Sequence, residues 1–395
     1  MADEIWSEIL FEKMKRIHPG IEEMEPYEFR YCLDDWLPLE GDGTAVLPEE
    51  EVQRLVNSFD LYQGVRLKPM AGDRIVLDET IVRLTKMLFV GLVTGAYQEE
   101  WVAAHFCFDI RGFYFLHRTT YFTDRVIAHL GGRPFRSFEQ RQRLLERCHE
   151  IGYRAFREAN AEVDQAFVEA VLTLISAKGT PILVAIAGPT AAGKTEIVAR
   201  LRGEMEQSGR QVTSIEMDNF LTDREQREEK GIYSLGKQAI HFELFLRSLE
   251  EILAGKRIVT PSYDFYDGTS SHALDGSLKP GRSPVVVEPA DVVFLEGNQP
   301  FLLEEVAPLV GIRAVYLTED SIRMRRKWRR DIDYRKKYEP TYFRNRFFRE
   351  QYLMAQQCYV PQLEVCDLAV DTTGAALWVT QEVAGTLTGR QQEGD

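Results

Sequence analysis

With 395 residues, 44% of them hydrophobic, the chain has the length of two or three globular domains and the composition of an ordinary soluble protein. Its 48 basic and 62 acidic residues leave a net charge of −14. That argues against nonspecific nucleic-acid binding as the main role, because neutralising phosphates takes a basic surface.

The chain opens Met1-Ala2-Asp3-Glu4-Ile5-Trp6, acidic and without the shape of a signal peptide. Residues 1–175 show helical periodicity and little strand alternation. An acidic first turn follows Pro48 at Glu49–Val56, and apolar residues recur at helical spacing over Glu79–Leu92, Phe138–Ala155 and Glu158–Ile175. The longest apolar stretch, Met87 to Tyr97, is too short to cross a bilayer and reads as buried helix, so no membrane partner is expected. Trp101, His105, Phe106, Phe108, Phe113, Tyr114, Phe115, His117, Tyr121 and Phe122 form an aromatic run that core packing explains better than a ligand box. Five dispersed cysteines (Cys32, Cys107, Cys148, Cys358, Cys366) form no Cys-x-x-Cys pair and read as reduced thiols of a cytoplasmic protein. Residues 1–175 are thus expected to form a mainly α-helical accessory domain, hinged at Ser176–Pro181 to a second domain over 176–395.

Beyond Pro181 strands and helices alternate. Strands are predicted at Ile182–Ala187, Val212–Met217, Val292–Leu295, Ala314–Leu317 and Leu368–Val370. Helices are predicted at Lys194–Gln207, Gln238–Ala254, Ser321–Asp333 and Thr341–Gln357. The pattern implies an α/β fold with a parallel sheet covered on both faces, and ligands at the carboxyl ends of its strands.

Between the first strand and helix stand Gly188, Pro189, Thr190, Ala191, Ala192, Gly193, Lys194 and Thr195, which fit Gly-x4-Gly-Lys-[Ser/Thr]. The glycines let backbone N–H groups wrap an anion at a helix N-terminus, Lys194 reaches the β- and γ-phosphates, and Thr195 offers a hydroxyl to Mg²⁺. The fold class is therefore that of a P-loop NTPase, with ATP and Mg²⁺ as cofactors. Asp218, at the end of the second strand, can take the proton of an attacking hydroxyl or form a turn. Glu296 ends Val292–Leu295 on the metal side of the loop, as a hard oxygen ligand suits Mg²⁺. The run Arg323–Asp331 concentrates positive charge in an acidic protein. It suits a phosphoryl-transfer transition state better than a nucleic acid.

These segments together resemble the uridine kinase and phosphoribulokinase family of P-loop kinases, from Pro181 to about Thr373. The resemblance is carried in order by Gly188–Thr195, Met217-Asp218-Asn219-Phe220, Pro261-Ser262-Tyr263-Asp264-Phe265, Pro289–Gly297, Arg323–Asp331, and Pro361 followed by Cys366–Val370. It implies that Asp218 is the general base and that Tyr263, Asp264 and Phe265 border the acceptor. It further implies that Glu296 and Thr195 serve the metal and that the arginine segment is a lid. Arg323 then belongs to the nucleotide, and Arg326 and Arg330 touch phosphate and assist transfer. A homo-oligomer is compatible with the resemblance.

The acceptor side departs from the family. Gly268 stands where uridine kinases have a base-reading histidine, Ser234-Leu235-Gly236-Lys237 replaces their Asp-His-Pro segment, and His241 and His272 are out of register. Lys237 suits an anionic acceptor or plain solvent exposure. The expected activity is transfer of the γ-phosphoryl group of Mg-ATP to a hydroxyl of a sugar, sugar phosphate or nucleoside-like alcohol. The alternative is an ATP-binding switch. A GTPase ranks below both, for want of an Asn-Lys-x-Asp motif.

Overall fold

The molecule, described from a computed structural model, is defined over residues 2–34, 36–37, 39, 45–52, 68–69, 75–76, 79–110, 113–142, 153–232, 235–320, 322–323, 326–327, 330 and 354–391. Two units divide the chain. The first comprises Met1–Thr120, Arg143–Tyr153 and Lys337–Tyr352. The second comprises Tyr121–Gln142, Arg154–Lys336 and Leu353–Asp395.

The first unit holds α1 (Ala2–Ile17), α2 (Pro19–Glu22), α3 (Pro26–Asp34), the short ladder of β1 (Lys68–Pro69) and β2 (Ile75–Val76), α4 (Glu79–Thr94) and α5 (Glu99–His105). A hairpin of β3 (Phe106–Asp109) and β4 (Tyr114–His117) follows. Phe106, Phe108, Phe113, Tyr114 and Phe115 of the aromatic run are core here. The Phe89 ring of α4 lies 6.2, 5.9 and 5.7 Å from those of Phe108, Phe113 and Phe115. The hairpin adds a short strand pair to the mainly helical unit expected. Phe106 and Phe108 alternate inward while Cys107 and Asp109 stay half-buried, a period of two over only four residues. Tyr121 and Phe122, from the same run, belong to the second unit.

The second unit begins with α6 (Asp124–His129), β5 (Arg136–Ser137), α7 (Tyr153–Ala159) and α8 (Ala161–Lys178). The helix expected at Phe138–Ala155 is thus preceded by a strand, and 143–152 fall outside the described residues. Then come β6 (Ile182–Ala187), α9 (Lys194–Gln207), β7 (Val212–Glu216), α10 (Arg224–Glu229) and α11 (Phe242–Leu253). Two ladders follow, β8 (Ile258–Thr260) with β11 (Val285–Val287) and β9 (Tyr263–Asp264) with β10 (Thr269–Ser270). The chain closes with β12 (Val292–Gly297), β13 (Ile312–Leu317), α12 (Val360–Leu363), β14 (Leu368–Asp371), β15 (Ala376–Val379) and α13 (Gln381–Gln391). Residues 341–353 of the helix expected at Thr341–Gln357 lie outside the described residues, and Ala355–Tyr359 is a π-helical turn.

The main sheet runs β5-β15-β14-β13-β6-β12-β7. Its inner pairs are parallel, and β14–β15 and β15–β5 are antiparallel. The chain fills the β12–β7 side of β6 before the β13–β14 side, so β6 stands at the switch in strand order, where α/β sheets bind ligands.

Alternation along β6 assigns the two faces. Leu183, Ala185 and Ala187 join one core with Phe220, Phe245 and Leu249, while Ile182, Val184 and Ile186 join another with Val163, Phe167, Val171 and Ile175 of α8. The helix read as the last of the accessory domain therefore covers one face of this sheet, and the boundary expected at 175/176 falls inside the second unit. The cause is visible in α8, whose buried residues include Phe167, Val171, Leu174 and Ile175. Phe167 is wholly buried, with its ring 5.8 Å from that of Tyr316. Phe167→Ala should destabilise the protein by about 3–5 kcal/mol in denaturant unfolding, the usual cost of an aromatic cavity. A loss below about 1 kcal/mol would show that α8 does not pack on the sheet.

Candidate functional site

The corner between β6 and α9 follows from the sequence around it. Ala191 (φ +62) and Gly193 (φ +113) take left-handed conformations that tighten the turn, as in the backbone concavities that bind anions. Gly188 is required by close approach, since a Cβ there would lie 2.2 Å from the Tyr316 carbonyl oxygen. Thr318 Oγ1 donates to Ala192 O at 2.8 Å and ties the loop to the end of β13.

The Lys194 ammonium donates to Gly188 O at 2.7 Å and Pro189 O at 3.1 Å. Burial lowers its pKa, while the charges of Asp218 and Glu296 pull it up. Thr195 Oγ1 lies 3.2 Å from both carboxylate oxygens of Glu296, as one hydroxyl and one acid of a shared oxygen-rich corner. Glu296 is buried, and its pKa is pushed up to about 7 by that burial and by the charges of Glu216 and Asp218, against Lys194 and the Thr195 hydroxyl. Glu216 pairs with Glu296 across the β7–β12 ladder, and its own pKa is raised by burial and by Asp218. Among the described residues, no cluster of three or more His, Cys, Asp or Glu side chains could hold a metal ion. Thr195 and Glu296 fit an ion that keeps waters and takes its other ligands from a polyphosphate.

Asp218 sits on the 3₁₀ turn Met217–Phe220 after β7. It is half-buried, and its field reaches Lys194, Glu296 and Glu216. Arg330 Nη2 donates to Thr190 Oγ1 at 3.0 Å, and Arg326 Nη1 approaches Ala191 O and Ala192 O at 3.4 Å each. Both arginines thus meet the rim of the loop. Arg323, expected with the nucleotide, does not. It is fully buried, its Nε donates to Asp320 at 2.9 Å with Nη2 at ion-pair distance (2.8 Å) from the same oxygen, and Tyr121 Oη donates to that carboxylate at 2.8 Å. Residues three apart share a helix face, so spacing groups Arg323 with Arg326 and gives no sign that Asp320 claims the former.

On the acceptor side Tyr263 is buried, with its hydroxyl accepting from Arg227 Nη2 at 3.1 Å and its ring 5.1 Å from that of Phe265. Asp264 accepts the backbone N–H groups of Tyr266 (2.8 Å) and Asp267 (3.1 Å), a turn-forming use of that carboxylate. At Gly268 an added Cβ would meet the Arg224 guanidinium, 2.6 Å from its Cζ. The space beside Gly268 is therefore taken by an arginine from α10. His241 and His272 are buried behind it, bonded to Ser270 and Ser271. Lys237 is exposed and pairs with Glu305. Glu216, Tyr316, Thr318 and Arg224 were not singled out from sequence. Of these only Glu216, an acid closing an apolar strand, carries a readable signal.

A glycine-framed turn at the carboxyl end of a central parallel strand, with acids at the ends of β12 and β7 and arginines at its rim, defines the P-loop phosphotransferase class. A family model, "Phosphoribulokinase / Uridine kinase family", matches residues 183–377. The uridine kinase of Brevibacillus brevis is 31% identical over 160 residues, 40% of this chain and 69% of that protein. The uridine kinase of Halobacterium salinarum is 31% identical over 152 residues, 38% of this chain and 62% of that protein. The phosphoribulokinase structure from Rhodobacter spheroides aligns at a TM-score of 0.35 and 17% identity, covering 49% of this chain and 70% of that one. The chain belongs to the phosphoribulokinase/uridine kinase family and is a P-loop kinase of that type.

Gly188→Ala should lower affinity for Mg-ATP at least about tenfold in calorimetric titration, because the methyl group meets backbone that cannot swing aside. Undiminished binding would mean that the loop moves freely from Tyr316.

Proposed function

We propose that the protein transfers the γ-phosphoryl group of ATP to a hydroxyl of a small molecule, a sugar, sugar phosphate or nucleoside-like alcohol, with Asp218 as general base. The observation that carries this reading is the state of Asp218. Among the described residues its carboxylate makes no hydrogen bond, yet it is half-buried in the field of Lys194. An aspartate serving its own turn bonds nearby backbone, as Asp264 does. A carboxylate left open beside a phosphate cradle is suited to take a proton.

In this reading the loop amides and Lys194 hold the polyphosphate, and Arg326 and Arg330 neutralise charge on the transferring group. Thr195 and Glu296 would hold Mg²⁺, which would supply further charge neutralisation. Asp218 orients the acceptor hydroxyl and takes its proton as the new O–P bond forms and the bond from the β–γ bridging oxygen to the γ-phosphorus breaks, leaving ADP. Catalysis is mainly positioning and preorganised charge. Tyr263 and Phe265 border the acceptor, and the Arg224 guanidinium at Gly268 favours an acceptor other than uridine.

The test is ADP formation against a panel of sugars, sugar phosphates and nucleosides. One alcohol should drive stoichiometric ADP release. Lys194→Ala should cut that turnover at least about a hundredfold, and Asp218→Asn should bind ATP normally but lose transfer. If no alcohol stimulates ADP release while Mg-ATP still binds, the protein is a nucleotide-gated switch. Normal turnover of Asp218→Asn would return that residue to a turn-forming role.

A further inference from the structure

The family-matched segment begins at residue 183, but part of what holds the phosphate loop lies before it. Tyr316 on β13 is the floor of the loop. Its carbonyl oxygen abuts Gly188, and its ring would come within 3.3 Å of a Cβ on Gly193. The Tyr316 hydroxyl, buried beneath the loop, donates to Asp164 Oδ1 of α8 at 2.6 Å. One turn before α8, the ring of Phe156 on α7 lies 4.0 Å from the Arg326 guanidinium carbon. That same guanidinium approaches the Ala191 and Ala192 carbonyls.

We propose that Asp164 is a positioning residue for ATP: by fixing Tyr316 it sets the phosphate loop, and together with Phe156 it holds Arg326 at the loop rim. The proposal rests on reading Gly188–Thr195 as the ATP cradle. It makes α7 and α8 working parts of the kinase site, although they precede the segment that carries the family motifs.

The charges around Asp164 agree. The groups that face it are the Tyr316 hydroxyl, Arg200 and Glu196 of α9, and Arg326 of the lid. Burial pushes its pKa up to about 6, with Glu196 adding to the rise and the Tyr316 hydrogen bond, Arg200 and Arg326 opposing it. Above that pH the carboxylate accepts a charge-assisted bond from Tyr316 and draws Arg326 toward α8. Below it the group is neutral and both interactions weaken.

The test measures Mg-ATP binding by the full-length protein in equilibrium titrations, beside thermal unfolding of the same samples. Tyr316→Phe and Asp164→Ala should each weaken binding about tenfold, the value of one buried hydrogen bond. Asp164→Asn keeps an oxygen acceptor and should lose only a few-fold at neutral pH. Wild-type affinity should fall as pH drops through about 6 until it meets that of Asp164→Asn, which should lack this step. Phe156→Leu, which fills the space without a π face, should cost two- to fivefold, within the range of about 0.5–1 kcal/mol for such contacts. Tyr316→Phe and Asp164→Asn carry the test if Asp164→Ala does not fold. Binding that is unchanged in these variants, or weakened only as far as thermal stability falls, overturns the proposal. Lys194→Ala separates the two readings. If it too binds normally, the cradle itself is misassigned; if it alone fails to bind, the cradle stands and Asp164 has no positioning role.

Discussion

The contact between Gly188 and the backbone of Tyr316 constrains everything else at this corner. It brings the turn after β6 flat against the end of β13, and only a residue without Cβ permits the approach. Once the turn is seated, Lys194 starts α9 with its ammonium folded against Gly188 and Pro189, and Thr195 meets Glu296. One lysine here faces the fields of Asp218 and Glu296, with Glu216 alongside. Like charges gathered around one buried carboxylate, Glu296, repel unless cationic groups join them. Those available at the rim are Arg326 and Arg330.

The sheet supplies the rigidity that this corner needs. The acid-bearing strand β12 and the floor strand β13 both pair directly with β6, so the cradle, the acid and the floor are fixed by one hydrogen-bonded ladder. A second line of support is polar. Thr318 bonds Ala192 O and Thr372, Thr373 bonds the Glu319 N–H and Gln142, and Gln142 bonds Asn160 at the break between α7 and α8. Each member is buried or nearly so, and buried networks of this kind resist change when every group has a partner. This chain reaches the loop from residues that precede the family motifs.

The cradle was legible because its requirements are local. A strand, two glycines, a lysine and a helix start follow one another without interruption, and α9 begins at Lys194 as the pattern demands. Asp218 and Glu296 were legible because acids at the ends of apolar strands share an edge in a parallel sheet. Arg323 was misplaced because helical register within a run of arginines depends on what the helix packs against, and Asp320 with Tyr121 decides that. The allegiance of α8 was hidden for a similar reason. An amphipathic helix declares that it has an apolar face but not which sheet will cover it. Arg224 gave no signal at all, since it meets Gly268 only through the fold.

Arg224 closes on Gly268, Arg227 on Tyr263 and His241 on Ser270, a set of contacts separate from the glycine-framed turn. The account stands on the nucleotide side. The most direct measurement is calorimetric titration of the purified chain with ATP in the presence and absence of magnesium. One saturable site per chain, tightened by magnesium, is the predicted result. No heat of binding with magnesium present would contradict the account at its base.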